Sequence, residues 1–196
     1  MSGLIANVGI YRLTTILCWL ILGCYWWYNS TRVKATVQAQ SRPSRYLYLF
    51  FLLLGFIIVY SDQFALSILA YRLTPANHAS GIAGTLICMA GIAFAIWARK
   101  TLGNNWSGDV TLKKGHDLVQ SGPYKIVRHP IYTGFEIGIL GVAVIVGQLK
   151  GLLGLSIVFA AHYYKTTMEE KLMYQQFGLK YAEYSKKVKR LIPFIF

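Results

Sequence analysis

The sequence predicts an all-α integral membrane protein with about five transmembrane helices, and three observations carry that prediction. The 196 residues are 55% apolar or aromatic, with a mean hydropathy of +0.44. Only 14% are charged, against about 25% in a soluble domain, which is too few to cover a water-facing surface. The apolar residues gather in long runs, and about 20 residues of helix cross the hydrocarbon. This composition argues against an ordinary cytosolic globule and against a disordered chain.

The first run, Ile10–Tyr28, ends in Tyr25-Trp26-Trp27-Tyr28. It lacks the small-residue cleavage site of a signal peptide, and the aromatic cluster suits a membrane interface. The second run is Tyr46–Ala70 and the third Gly81–Ala98. The fourth apolar region, Ile131–Tyr164, is interrupted by Gly147-Gln148-Leu149-Lys150-Gly151. Two glycines and two polar residues there predict a tight helical hairpin with arms Ile131–Val146 and Leu152–Tyr164. Beyond it, a helix continues to about Phe177, Gly178 ends or bends it, and Tyr181–Val188 adds another turn or two. Aromatic and aliphatic residues among the tail's lysines predict that it lies against the membrane.

Lys and Arg number 20 against 7 Asp and Glu, a net charge of +13. In a membrane protein such an excess reads as loops facing anionic lipid rather than as a nucleic-acid surface. Arg32, Lys34, Arg42 and Arg45 follow the first run, and Arg99, Lys100, Lys113, Lys114, Lys125 and Arg128 follow the third. Lys165, Lys171, Lys180, Lys186, Lys187, Lys189 and Arg190 follow the hairpin. Five crossings put all of these on one side and leave only Arg12, Arg72 and Lys150 for the other. The expected orientation is N-terminus outside and C-terminus cytoplasmic. The chain then divides into 1–98, three spans with their loops, and 99–196, which holds the cytoplasmic connector, the hairpin and the tail. Cys18, Cys24 and Cys88 sit in apolar runs without metal-ligand spacing, so they read as small hydrophobes.

Chemistry is expected where the connector and the tail meet the inner ends of the spans. Pro130 suits the first turn of a helix, which puts Arg128 and His129 at its positive end, where an anion is stabilised. On Arg-His-Pro alone, anchoring of the span at lipid headgroups is the simpler account of the same two residues. His162, Lys165 and Glu169 share one helical face at i, i+3 and i+7, with Glu170 beside them. Glu136, Tyr132 and His129 share another. An ionisable group within a span is a functional candidate by default, which covers Glu136 and Asp62, expected mid-span; for Asp62 a packing hydrogen bond is the simpler account. Gly134 and Gly138 are spaced for helix packing. P-loop, dinucleotide-binding, serine-hydrolase and zinc-protease motifs are absent.

Gly115-His116-Asp117-Leu118-Val119, Gly122-Pro123-Tyr124, Arg128-His129-Pro130-Ile131-Tyr132-Thr133-Gly134, Glu169-Glu170 and Phe177-Gly178-Leu179-Lys180-Tyr181 strongly resemble the isoprenylcysteine carboxyl methyltransferase family. That family is similar in turn to membrane phospholipid N-methyltransferases. The resemblance runs from about Leu102 to Pro193, and the short chain is similar to the compact prokaryotic members, which sit in the inner membrane. It implies S-adenosylmethionine as cofactor, in a pocket built by connector and tail. By the same resemblance His116, Asp117, Leu118, Val119, Tyr124, His129, Pro130, Ile131, Tyr132, Glu169 and Glu170 line the cofactor. The basic residue four before the glutamate contacts the acceptor; the family carries Arg there and this chain Lys165, which loses the planar fork. Arg128 is assigned with Lys165 to the reaction itself.

The implied partners are the lipid bilayer and a lipophilic acceptor, with neither metal nor nucleic acid. The acceptor stays open between a prenylcysteine-type carboxyl and another lipid, amine or thiol. A sterol-type reductase using NADPH has a similar C-terminal arrangement but more spans. A non-enzymatic scaffold or small transporter would explain the spans but not the ordered motifs.

Overall fold

Among the described residues six α-helices account for the apolar runs and the tail: α1 Ser2–Asn29, α2 Arg42–Tyr60, α3 His78–Leu102, α4 Pro130–Val146, α5 Leu149–Phe177 and α6 Leu179–Lys187. The computed structural model describes residues 2–29, 36–39, 42–64, 67–106, 111–113 and 117–195. Among them, Gly9–Asn29, Pro43–Tyr60 and His78–Asn105 are long and apolar enough to cross a membrane, and Pro130–Val146 is a shorter apolar helix. The helical class therefore stands. One addition has no signal in the sequence: β1, Thr36–Ala39, pairs antiparallel with β2, Thr111–Lys113, and ties the loop after α1 to the connector.

The second run is shorter than its hydropathy predicts. α2 stops at Tyr60 and the chain turns through a 3-10 segment, Asp62–Phe64. Asp62 is therefore at a helix end, not mid-span, and it has partners. Arg12 donates to both of its oxygens at 3.0 and 2.9 Å, and Lys150 Nζ lies 3.2 Å from Oδ1. A carboxylate stops the helix where two cations can meet it. The same contacts let Lys150 sit fully buried in the first turn of α5, which starts at Leu149, three residues ahead of the expected Leu152.

The hairpin turns at Gly147, whose φ of 64° is left-handed and whose N–H closes α4 on Ala143 O. α4 measures about 26 Å and α5 about 43 Å at 1.5 Å per residue; α5 is long enough to cross and emerge. Small residues set the packing. A β-carbon on Gly91 (α3) would meet Gly134 O at 2.6 Å, and one on Gly134 (α4) would meet Gly91 O at 2.7 Å. Gly55 of α2 and Gly154 of α5 exclude each other's β-carbons in the same way, at 2.9 and 2.7 Å from the opposing carbonyls. Two close-packed pairs, α3 with α4 and α2 with α5, are thus joined by the hairpin. Leu22, Val59, Cys88, Ile92, Ile139, Val142 and Val158 fill the core between them. Of the cysteines only Cys88 is buried; Cys18 is half-buried and Cys24 exposed.

The two tyrosines of the last helix face the protein, while Leu179, Phe194 and Ile195 stay exposed. Gly178 breaks the helix at φ 51°, and α6 then turns Tyr181 and Tyr184 inward, both buried. Tyr184 donates to Tyr124 O at 2.6 Å. After α6 the chain runs beside the connector: Arg128 N–H donates to Lys189 O at 2.8 Å and His129 N–H to Arg190 O at 3.1 Å. Thr133 Oγ1 then donates to Leu191 O at 2.7 Å. Connector and tail are one unit, seated on the ends of α4 and α5.

Candidate active site

Pro130 opens α4 and His129 caps it, so the imidazole sits at the junction of connector, α4 and tail. α5 brings Glu169 and Glu170 to the same point. His129 Nδ1 lies 3.3 Å from Glu169 Oε2, and Nε2 lies 3.3 Å from Glu170 Oε1. Tyr132, one turn into α4, donates to Glu169 Oε1 at 2.5 Å. The ring is thus held between two carboxylates. Burial alone would lower its pKa, but hydrogen bonds and charge from Glu169 and Glu170 outweigh it and the net direction is up. Burial pushes the other way on the carboxyls, and their cationic partners again prevail. Glu169 is lowered, His129 being its strongest partner. Glu170 is held at about 2 by His129 and Arg128.

The two glutamates have different surroundings. Glu170 is buried and receives Arg128 Nε at 2.7 Å and Arg190 Nη2 at 2.6 Å. Arg128 also donates through Nη1 to Ser185 O at 3.0 Å and to Val188 O. Arg128 and Glu170 therefore clamp α6 and the segment after it onto the bundle. Glu169 instead lines a cavity of about 350 Å³.

Of the residues expected at the site, Asp117, Leu118, Val119, Tyr124, Arg128, His129, Ile131, Tyr132, Lys165 and Glu169 all line this cavity. Pro130 and Glu170 do not: Pro130 is buried in the first turn of α4, and Glu170 faces its three cations. His116 lies outside the described residues.

Several lining residues were not among those expected from the sequence. Trp26 from α1, Tyr48 and Leu52 from α2, Trp106 after α3, and Phe135 from α4 close one wall. The aromatic cluster that ends α1 splits: Trp27 is 80% exposed and Tyr28 62%, as an interface belt requires. Trp26 instead turns in, edge-on to Trp106 at 6.1 Å and to Phe135 at 6.2 Å. Arg99 is buried beneath Trp106, 4.4 Å from its ring centroid, and donates to Gly103 O and Asn29 O. Lys165 is almost fully buried, with Nζ 4.3 Å from the Tyr48 ring and 5.7 Å from that of Tyr132. Desolvation keeps the phenols of Tyr124, Tyr181 and Tyr184 protonated well above their ordinary range.

One end of the cavity is thus polar and near the connector: Asp117, His129, Tyr132 and Glu169. The other is oily, with Leu49, Leu52 and Phe135. Carboxylates beside aromatic faces fit a cationic nucleoside. An apolar wall opening from helices α1, α2 and α4 fits a lipid chain. Among the described residues no cluster of metal-ligating side chains is present.

A family model described as "Phospholipid methyltransferase" matches residues 79–180. The chain is 40% identical over 83 residues to the protein-S-isoprenylcysteine O-methyltransferase of Schizosaccharomyces pombe, covering 42% of this chain and 35% of that one. With the Saccharomyces cerevisiae protein of the same name it shares 31% over 133 residues, 66% of this chain and 55% of that one. A solved structure of a eukaryotic intramembrane Ras methyltransferase, isoprenylcysteine carboxyl methyltransferase, superposes with a TM-score of 0.55 at 26% identity. It covers 80% of this chain and 54% of the solved one. The matched part of the chain spans a third to just over half the length of these two curated relatives.

Proposed function

Since the chain belongs to the phospholipid methyltransferase family, we propose that it transfers a methyl group from S-adenosylmethionine to a lipophilic carboxylic acid. The acceptor class is a prenylcysteine-type α-carboxyl and the product a methyl ester. The observation that carries this reading is the single cavity with a carboxylate–imidazole–phenol end and an oily end, with Lys165 buried between aromatic rings where the two ends meet. When bound, the cofactor supplies an electrophilic methyl on a cationic sulfur.

Glu169, fixed by Tyr132 and His129, orients the cofactor's polar groups, and His116 to Val119 with Tyr124 and Ile131 frame it. Pro130 and Glu170 act from behind: one sets the start of α4, the other locks the tail. Arg128 serves the reaction through that lock, because its Nε and Nη1 are taken by Glu170 and the tail carbonyls. Lys165 neutralises the acceptor's carboxylate, which is already ionised at pH 7 and needs no strong base. The protein's remaining task is alignment and exclusion of water. Residues 99–196 carry this chemistry at the cytoplasmic face. The 1–98 segment supplies three of five crossings, with the N-terminus outside.

The test incubates purified protein with radiolabelled methyl donor and lipophilic acids, amines and thiols. Label in organic-extractable, base-labile product from the acids supports the reading; label only in base-stable product from amines overturns it. The matched family's description favours a phospholipid acceptor as second reading; for an amine headgroup the buried Lys165 ammonium opposes it.

A further inference from the structure

A polar pair is sunk in the oily wall of the cavity. Glu136 lies in the second turn of α4 and His162 in the fourth turn of α5, with His162 Nδ1 2.5 Å from Glu136 Oε1. His162 is fully buried and lines the cavity. Yet its Nε2, like Glu136 Oε2, has no hydrogen-bond partner among the described residues. The ring is immobilised: stacked on Tyr132 at 4.8 Å, edge-on to Phe135 at 5.7 Å and tilted to Tyr48 at 6.0 Å. A pair that only stapled two helices would use up its polar atoms, because a buried unpaired one is destabilising. Here the open atom belongs to a ring on the cavity wall. Lys165 stands one turn further along α5, above the same Tyr48 and Tyr132 rings. Both groups therefore address one region of the cavity.

We propose that His162 and Lys165 together hold the acceptor's carboxylate, and that Glu136 is the positioning residue that fixes the imidazole. The inference rests on the ester-forming reading above and names how that acceptor is recognised. The ionisable groups facing His162 are Glu136 and Tyr132 from α4, Tyr48 from α2 and Lys165 from its own helix. Glu136 occupies Nδ1, which leaves Nε2 as the ring position for an N–H that meets a ligand. A fixed N–H beside an ammonium gives a carboxylate the two-point hold that a lone ammonium lacks. The same pair disfavours a cationic amine, so it selects acids.

Acceptor kinetics of the full chain in detergent test this, with an N-acylated S-prenylcysteine as acceptor and calorimetric binding of S-adenosylhomocysteine as the control for an intact cofactor end. His162→Phe keeps a ring and removes the N–H; it is expected to raise the acceptor KM about 10- to 100-fold with kcat and S-adenosylhomocysteine affinity nearly unchanged. His162→Gln, which puts a donor at the same reach, restores most of the KM. If His162→Phe no longer binds S-adenosylhomocysteine, His162→Leu carries the same comparison with Gln. An unchanged KM overturns the inference, and so does a loss confined to kcat, which would mark His162 as a proton acceptor. Wild-type protein that forms no ester from the acid removes the ester reading itself. Ester formation that His162 variants leave untouched removes this inference alone.

Discussion

Two charge clusters sit at opposite ends of the bundle, and they differ in what they leave open. At one end, Arg12, Asp62 and Lys150 join α1, the end of α2 and the start of α5. Asp62 is 79% exposed there, and neither it nor its partners line the cavity. At the other end, Arg128, His129, Glu169, Glu170 and Arg190 are buried or nearly so, and Glu169 and His129 face a cavity. Both clusters fasten helices. The second combines fastening with space, by dividing the work between neighbours: Glu170 takes the arginines, which leaves Glu169 to the cavity.

The largest expected effect tests that division. Glu170→Ala strands Arg128 and Arg190 in a buried setting, and breaking such a pair costs about 3–5 kcal/mol. Thermal unfolding in detergent should show a large drop in Tm, together with loss of S-adenosylhomocysteine binding as the tail lifts. A change confined to binding would show that Glu170 is not the lock.

Glu169→Gln should do the reverse. It keeps the fold and weakens S-adenosylhomocysteine by about 1.5–3 kcal/mol, the worth of a hydrogen bond to a charged group, read by calorimetric titration. Unchanged affinity in both Glu169→Ala and His129→Ala would falsify the cofactor roles given to them.

The third effect is a pH window. His129 has a raised pKa in the fold, so its contribution is complete below its ordinary value of about 6.5 and is lost as pH climbs through the raised one. Glu170 is held at about 2. Its contribution is complete above the ordinary carboxyl value of about 4.3 and fades as pH falls toward 2. Tm against pH should therefore fall on both flanks, and His129→Gln should flatten the alkaline flank and also weaken the acid one, because His129 helps hold Glu169 and Glu170 low. A profile identical in wild type and variant would detach His129 from the lock.

The smallest effect belongs to the Arg12–Asp62–Lys150 cluster. Arg12's hydrogen bonds hold the Asp62 carboxyl below its usual range, but an exposed pair is worth about 0–1 kcal/mol. Asp62→Asn, which still offers Lys150 an oxygen, should lower Tm slightly and leave methyl transfer alone. A loss of activity would erase the contrast between the two ends.

Much of this was legible in the residues because it is local. Gly147-Gln148 turns the hairpin, Gly178 breaks α5, Pro130 opens α4, and Gly134 with Gly138 marks a packing face. Each depends on the conformation or size of a residue, which does not change with context. Ten of the candidate site residues line one cavity because ordered motifs on adjoining segments travel together. The partners of Asp62, the inward turn of Trp26 and Tyr181, and the pairing of Thr36–Ala39 with Thr111–Lys113 had no local signal.

The sequence by itself determined the medium and most of the elements: apolar run length marks which segments can cross a membrane, and glycine and proline mark the hairpin turn, the start of α4 and the break after α5. Tertiary structure decided which of two adjacent glutamates faces the cavity and which arginine is spent on the tail. It also decided which buried histidine keeps a nitrogen open. Those assignments depend on where several helices bring their side chains together, and Coulomb and hydrogen-bond energies fall off within a few ångströms. Residues as far apart in the chain as Glu136 and His162, or Arg12 and Asp62, acquire their roles only when the fold closes that distance.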